Sequence, residues 1–225
     1  MIEILTSQNS NTLPKIIAFL IAIVFCMSIH EYAHAKIAFA NGDDTAYLSG
    51  RMTLNPFAHI DLIGLLMLLL LGFGWAKPVP IDPNRFSDKK SGMLRTASAG
   101  IVANLFFSFF GAGLYVLFGN LASLVSEDNF ANFILTFLQL LFWYFTIINL
   151  NLAIFNLIPV PPLDGYNILK SATKYDNKFV VFAEKNSKVL SIALILICSI
   201  FPIVESLSSF AFVPFVEFWK FVWVF

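Results

Sequence analysis

The chain of 225 residues holds only three histidines, and two of them stand four apart in His30-Glu31-Tyr32-Ala33-His34. On a helix that spacing puts both imidazoles on one face, with Glu31 beside them. This is the H-E-x-x-H arrangement, in which the histidines hold a zinc ion and the carboxylate activates a metal-bound water. The lead-in from Ile16 to Ile29 carries no charge and is apolar all round. A helix of a soluble enzyme is apolar along one stripe only. Ionisable groups inside a membrane span are costly enough to be functional by default, so the pentapeptide predicts one zinc ion bound within a bilayer.

A catalytic zinc needs a third protein ligand. The soluble extension of the motif is absent, since Ile37 and Ala40 stand where it has Gly and His. Three donors in or near apolar sequence remain: His59, Asp61 and Asp164. Asp164 is favoured, because Pro159, Pro161 and Pro162 break the preceding helix and present its carboxylate on irregular backbone. Helix capping is the competing role for Asp164. His59 is expected to support the ligands or face the substrate.

The elements that must position these groups belong to a membrane protein. Hydrophobic residues make up 58% and charged ones 12%, with a mean hydropathy of +0.79; a soluble protein is about 25% charged. The formal net charge of zero gives no case for nucleic acid. Cys26 and Cys198 both lie in apolar runs, which predicts buried thiols without a disulfide. No cleavable signal peptide is expected, because the start lacks a basic region and the first apolar run carries the motif.

After a polar lead-in at 1–12, a first span is predicted from about Leu13 to Phe39, ended by Asn41-Gly42-Asp43-Asp44. Alternation around Gly50 predicts short strands in 45–59, a platform for an extended substrate. Ile60 to Trp75 is apolar but marginal for a crossing, and glycines and prolines from Gly72 to Pro80 predict a rigid loop. Spans follow at about 92–118 and 130–158, then at 189–204, and the tail from 210 reads as a short span or an interfacial helix. Asn104, near the start of the second long span, is placed to hydrogen-bond across a helix contact. The fold expected is an all-α polytopic membrane protein of about five to six membrane helices, with a small re-entrant or β-strand element after the catalytic helix. It forms one unit over 1–225, with a catalytic core at 13–170 and C-terminal membrane helices at 189–225.

His30-Glu31-x-x-His34 together with Asn156-x-x-Pro159-x-Pro161-Pro162-Leu163-Asp164-Gly165 resembles the site-2 protease family of intramembrane zinc metalloproteases. Gly50 to Pro56, His59-Ile60-Asp61 and Gly74 to Pro80 are similar to a compact bacterial branch without PDZ or CBS domains. The resemblance implies that His30, His34 and Asp164 bind zinc, that Glu31 is the general base, and that Asn156 supports the site or the substrate. Pro159 and Pro161 belong to the same supporting set. Ala99-Gly100-Ile101 and Leu62 depart from the family pattern, away from the metal set.

The expected reaction is hydrolysis of peptide bonds within or next to transmembrane segments, with a transmembrane protein or peptide as substrate and the lipid bilayer as partner. Asn156 is placed to donate to the oxyanion, to hold the substrate backbone or to join helices. A zinc-binding transporter or a non-proteolytic membrane protein is the alternative, although no internal repeat of the transporter kind is seen. The basic stretches at 77–95 and 170–188 predict a multi-pass protein of the cell membrane with its active site toward the cytoplasm.

Overall fold

The computed structural model describes residues 12–71, 74–174, 177–200 and 203–223; most of the polar lead-in, at 1–11, and Gly72 lie outside them. Helix α1 runs from Thr12 to Ala40. It ends where Gly42 takes a φ of +106°. There Gly42 N–H donates to Phe39 O at 3.1 Å and Asp43 N–H to Ala38 O at 3.0 Å, the paired bonds of a Schellman ending.

The strands expected in 45–59 do not form: among the described residues there is no strand. The Asp43 carboxylate accepts from both the backbone N–H and the hydroxyl of Thr45. This local bond starts the one-turn helix α2, Thr45–Leu48. Over so few residues, alternating polarity fits a helical turn as well as a strand. A 3₁₀ turn at Pro56–Ala58 leads to α3, Leu62–Leu71, whose ten residues extend only about 15 Å. The two ends of this excursion meet. Ile60 and Ala76 form an antiparallel bridge, and Lys77 N–H donates to His59 O at 2.9 Å. Gly64 and Gly74 make the return possible, since a Cβ on either would collide with backbone of the other limb.

Pro78 and Pro80 hold the next stretch extended by restricting themselves and their predecessors. Asp43, fully buried, fastens its far end by accepting from Asp82 N–H at 2.7 Å. Helix α4, Lys89–Ser123, is capped by Asp88, which accepts from Lys90 and Ser91 N–H. Helix α5, Phe130–Asn156, is capped by Asn129. The chain ends with α6, Asp164–Ala172, α7, Lys178–Lys185, α8, Ser187–Ile200, and α9, Ile203–Val222.

Three of these helices, α1, α4 and α5 with 29, 35 and 27 residues, are long and apolar enough to cross a membrane. Among the described residues α3 and α8 are shorter, and α9 carries Glu205, Glu217 and Lys220 along 20 residues. The three long helices pack on one another. On α1 the small side chains of Ala18, Ala22 and Cys26 recur every fourth residue and bury against Tyr144 and Ile148 of α5. Small residues let helices approach closely in a lipid setting, where packing rather than water exclusion drives association. Phe19 meets Tyr144 edge-on at 5.6 Å. Matching positions rise together on α1 and α5, so these two run in the same sense. His30 meets Asn104 and His34 meets Thr96, so α4 runs against them. On the outer surface Ile17, Ile21, Phe25, Val102, Phe106 and Phe110 are exposed, an apolar girdle suited to lipid.

Candidate active site

Near its C-terminal end, α1 turns His30 and His34 toward α4, both of them buried. Each ring is pinned through Nδ1. Thr96 O lies 2.7 Å from His34 Nδ1. A carbonyl can only accept, so this nitrogen carries a proton, and in the neutral imidazole Nε2 is bare. Asn104 Oδ1 lies 2.7 Å from His30 Nδ1 and accepts from it in the same way. Gly100 lies between these two partners on α4, one turn from each. A Cβ there would fall 2.5 Å from His30 Cε1 and from His34 Nε2, so only glycine lets the helices close on the rings.

Asp164 arrives from the other side. The turn between α5 and α6 is closed by Val160 N–H to Ile158 O at 2.8 Å and Leu163 N–H to Val160 O at 3.0 Å. Gly165 packs so tightly under the end of α5 that any Cβ would collide with Leu157 O. This fold-back sets Asp164, the first residue of α6, against the imidazoles. Its Oδ2 is 3.2 Å from His30 Nε2 and 3.1 Å from His34 Nε2, and the two Nε2 atoms are 3.0 Å apart. Asp164 Oδ2 is buried without a hydrogen-bond partner.

Three lone-pair atoms facing one another at this range repel unless a cation joins them. Zinc bonds of about 2.0–2.1 Å in a tetrahedron separate ligand atoms by about 3.3 Å, close to the observed triangle. Among the described residues this is the one group of His, Cys, Asp and Glu side chains able to hold an ion. The donor set therefore fits zinc. The site is built for a cation beside the Asp164 carboxylate.

Glu31, next along α1, faces a different neighbour. Its Oε2 accepts from Val79 N–H at 2.8 Å, which fixes the carboxylate against the extended 77–82 stretch. Glu31, both histidines and Asp164 line one cavity of about 230 Å³, with Asn156, Asn167, Met93 and Ile81 also on its wall. Asn156 is anchored through Nδ2 to Leu152 O at 3.0 Å.

The other candidates lie elsewhere. His59 is buried, with Nε2 donating to Thr53 O at 2.8 Å. Asp61 caps α3 by accepting from Gly64 N–H at 2.8 Å. Neither belongs to the triangle of donor atoms formed by His30, His34 and Asp164. Pro159 and Pro161 shape the α5–α6 turn, and Pro161 O accepts from Ser191 Oγ at 2.7 Å; of the prolines there, Pro162 is the one that lines the cavity. Sequence reasoning missed the Thr96 carbonyl and the Val79 amide, since backbone groups leave no mark in residue identity. It also missed Asn167, whose place three residues after Asp164 on a helix was the available signal.

Residues 18–200 match the model of "Peptidase family M50". A protein of Bacillus subtilis (strain 168) named "Putative zinc metalloprotease YwhC" is 39% identical over 153 residues, which cover 67% of this chain and 66% of that protein. The aligned part thus spans just under two thirds of the relative's length. No solved structure matches the chain. The match over most of the chain, a range that includes the H-E-x-x-H helix and the Asp164 turn, makes this chain a member of peptidase family M50.

Proposed function

We propose that the chain is an intramembrane zinc metalloendopeptidase of the site-2 type, cutting peptide bonds within or next to transmembrane segments. The observation that carries this reading is the unpartnered Asp164 Oδ2 beside two bare imidazole nitrogens, with Glu31 on the wall of the same cavity. His30, His34 and Asp164 would hold zinc, which when bound polarises a carbonyl and brings the pKa of a water toward about 7.

The chain's own residues account for the remaining steps. Val79 N–H holds one oxygen of Glu31, leaving the other to take the proton of the attacking water and deliver it to the leaving amine. Asn156 and Asn167 face the cavity, where amide side chains hydrogen-bond a substrate backbone or a developing oxyanion. A transmembrane substrate must unwind before it can be cut, because its amides are paired within its own helix. The extended 77–82 stretch beside Glu31, rather than residues 45–55, is the backbone along which it would lie.

The excursion from Ile60 to Ala76 is read as re-entrant, supported by its bridged ends and the ten-residue length of α3. With the basic stretches at 77–95 and 170–188 facing the cytoplasm, the opposed senses of α1 and α4 leave the catalytic face toward that side of the cell membrane. The test is purified protein with a model transmembrane substrate, with and without a chelator, beside Glu31→Gln. Cleavage that the chelator stops and Glu31→Gln abolishes is the expected result. Zinc retained with no cleavage of any transmembrane substrate would leave a metal-binding membrane protein instead.

A further inference from the structure

We propose that Asn149 is a positioning residue: through Asn104 it dictates which nitrogen of His30 carries the proton, and so keeps Nε2 free for the metal. The inference rests on the zinc reading of the site. Asn104 and Asn149 are both fully buried between the long helices. Asn149 Nδ2 lies 2.8 Å from Phe145 O, which can only accept, so the amino group must face it. The Cys26 sulfur, at 3.0 Å, takes the second N–H of the same group. Asn149 Oδ1 is therefore turned toward Asn104, whose Nδ2 donates to it at 2.8 Å. That in turn leaves Asn104 Oδ1 facing His30 Nδ1 at 2.7 Å, and the ring must hold its proton there.

The relay begins at a backbone carbonyl, so its direction is fixed. Flipping either amide would set donor against donor or acceptor against acceptor. Without Asn149, Asn104 is free to turn its amino group to His30. Nδ1 then accepts, the ring proton moves to Nε2, and Nε2–H points at Asp164 Oδ2, 3.2 Å away, in the place of the metal. His34 needs no such relay, because the Thr96 carbonyl meets its Nδ1 directly. Side chains behind a ligating histidine set its tautomer and alter metal affinity by about 10–100-fold.

The test uses the full chain in micelles, labelled with ¹⁵N-histidine and stripped of metal at a pH where imidazoles are neutral. Only three histidines contribute signals. Wild-type protein should show His30 protonated at Nδ1, whereas Asn149→Leu should shift it wholly or partly to Nε2, with His34 unchanged. Zinc affinity, read by competition with a chelator, should fall about 10–100-fold in Asn149→Leu. Adding Asn104→Asp should restore both readouts, because a carboxylate offers His30 only acceptors however it turns; a defect of packing would not be rescued this way. Asn149→Ala serves the same comparison if Asn149→Leu does not fold. A wild-type tautomer or a wild-type zinc affinity in Asn149→Leu overturns the proposal. If wild-type protein takes up no zinc, the metal reading fails, while the tautomer arm still decides the relay.

Discussion

Gly100→Ala should strip the metal site while leaving the helices assembled. The added Cβ would stand 2.5 Å from His30 Cε1 and His34 Nε2 and 2.7 Å from His30 Nδ1. Relieving this to an ordinary contact near 3.5 Å needs a movement of about 1 Å. Neither ring can retreat cheaply, since both are tied by 2.7 Å bonds to Asn104 and Thr96 on the very helix that carries the new methyl group. Moving α4 away would stretch those bonds, and turning the rings would carry Nε2 away from Asp164. Disturbing the orientation of metal-ligating histidines costs about 10–100-fold in metal affinity, and overpacking costs about 1–3 kcal/mol of stability. Zinc affinity should therefore drop about 10–100-fold by chelator competition, with a modest fall in thermal midpoint. Gly113→Ala is the control, because its Cβ would also clash, with Trp219 2.8 Å away, within the α4–α9 contact. It should lose stability and keep zinc. Unchanged zinc affinity in Gly100→Ala, or equal loss in both variants, would refute the steric reasoning.

Alanine at His30, His34 or Asp164 should abolish stoichiometric zinc by elemental analysis, whereas Glu31→Gln should keep the metal and lower turnover by about 10²–10⁴-fold. Full zinc in Asp164→Ala would remove it from the ligand set. Val79→Pro deletes the N–H that orients Glu31 in a stretch already held extended by Pro78 and Pro80; kcat should fall about tenfold or more with zinc content intact, and an unaltered kcat would mean that Glu31 needs no such support. Cysteines at positions 44, half-exposed, and 88, exposed, should label from the same side of the membrane. Labelling from opposite sides would make Ile60–Ala76 a crossing segment.

The helix that carries the histidine pair was legible because two signals coincide in one stretch: a four-residue histidine spacing and an apolar stretch long enough to span. Asp164 was legible for a related reason, since Pro159, Pro161 and Pro162 can only break a helix and leave one carboxylate at the break. Residues 45–48 misled because one turn of helix and two residues of strand have the same alternation, and the deciding bond comes from Asp43, outside the pattern. Asn104 was recognisable as a polar group within an apolar span, but its partner could not be found without the register between α4 and α5. The groups that orient His34 and Glu31 are a carbonyl and an amide, and every residue has those.

The pins on the two imidazoles lie eight residues apart on α4, at Thr96 and Asn104, while the rings lie four apart on α1. Helix α4 thus grips α1 at two heights, and the angle between the helices is written into the direction of both imidazoles. Tilting is one way in which membrane helices answer a change in bilayer thickness. A tilt of one against the other would swing the two Nε2 atoms apart by unequal amounts and open the triangle with Asp164. Lipid chain length would thereby become a variable of the site, acting through helix angle on the hold that the triangle would have on a metal ion.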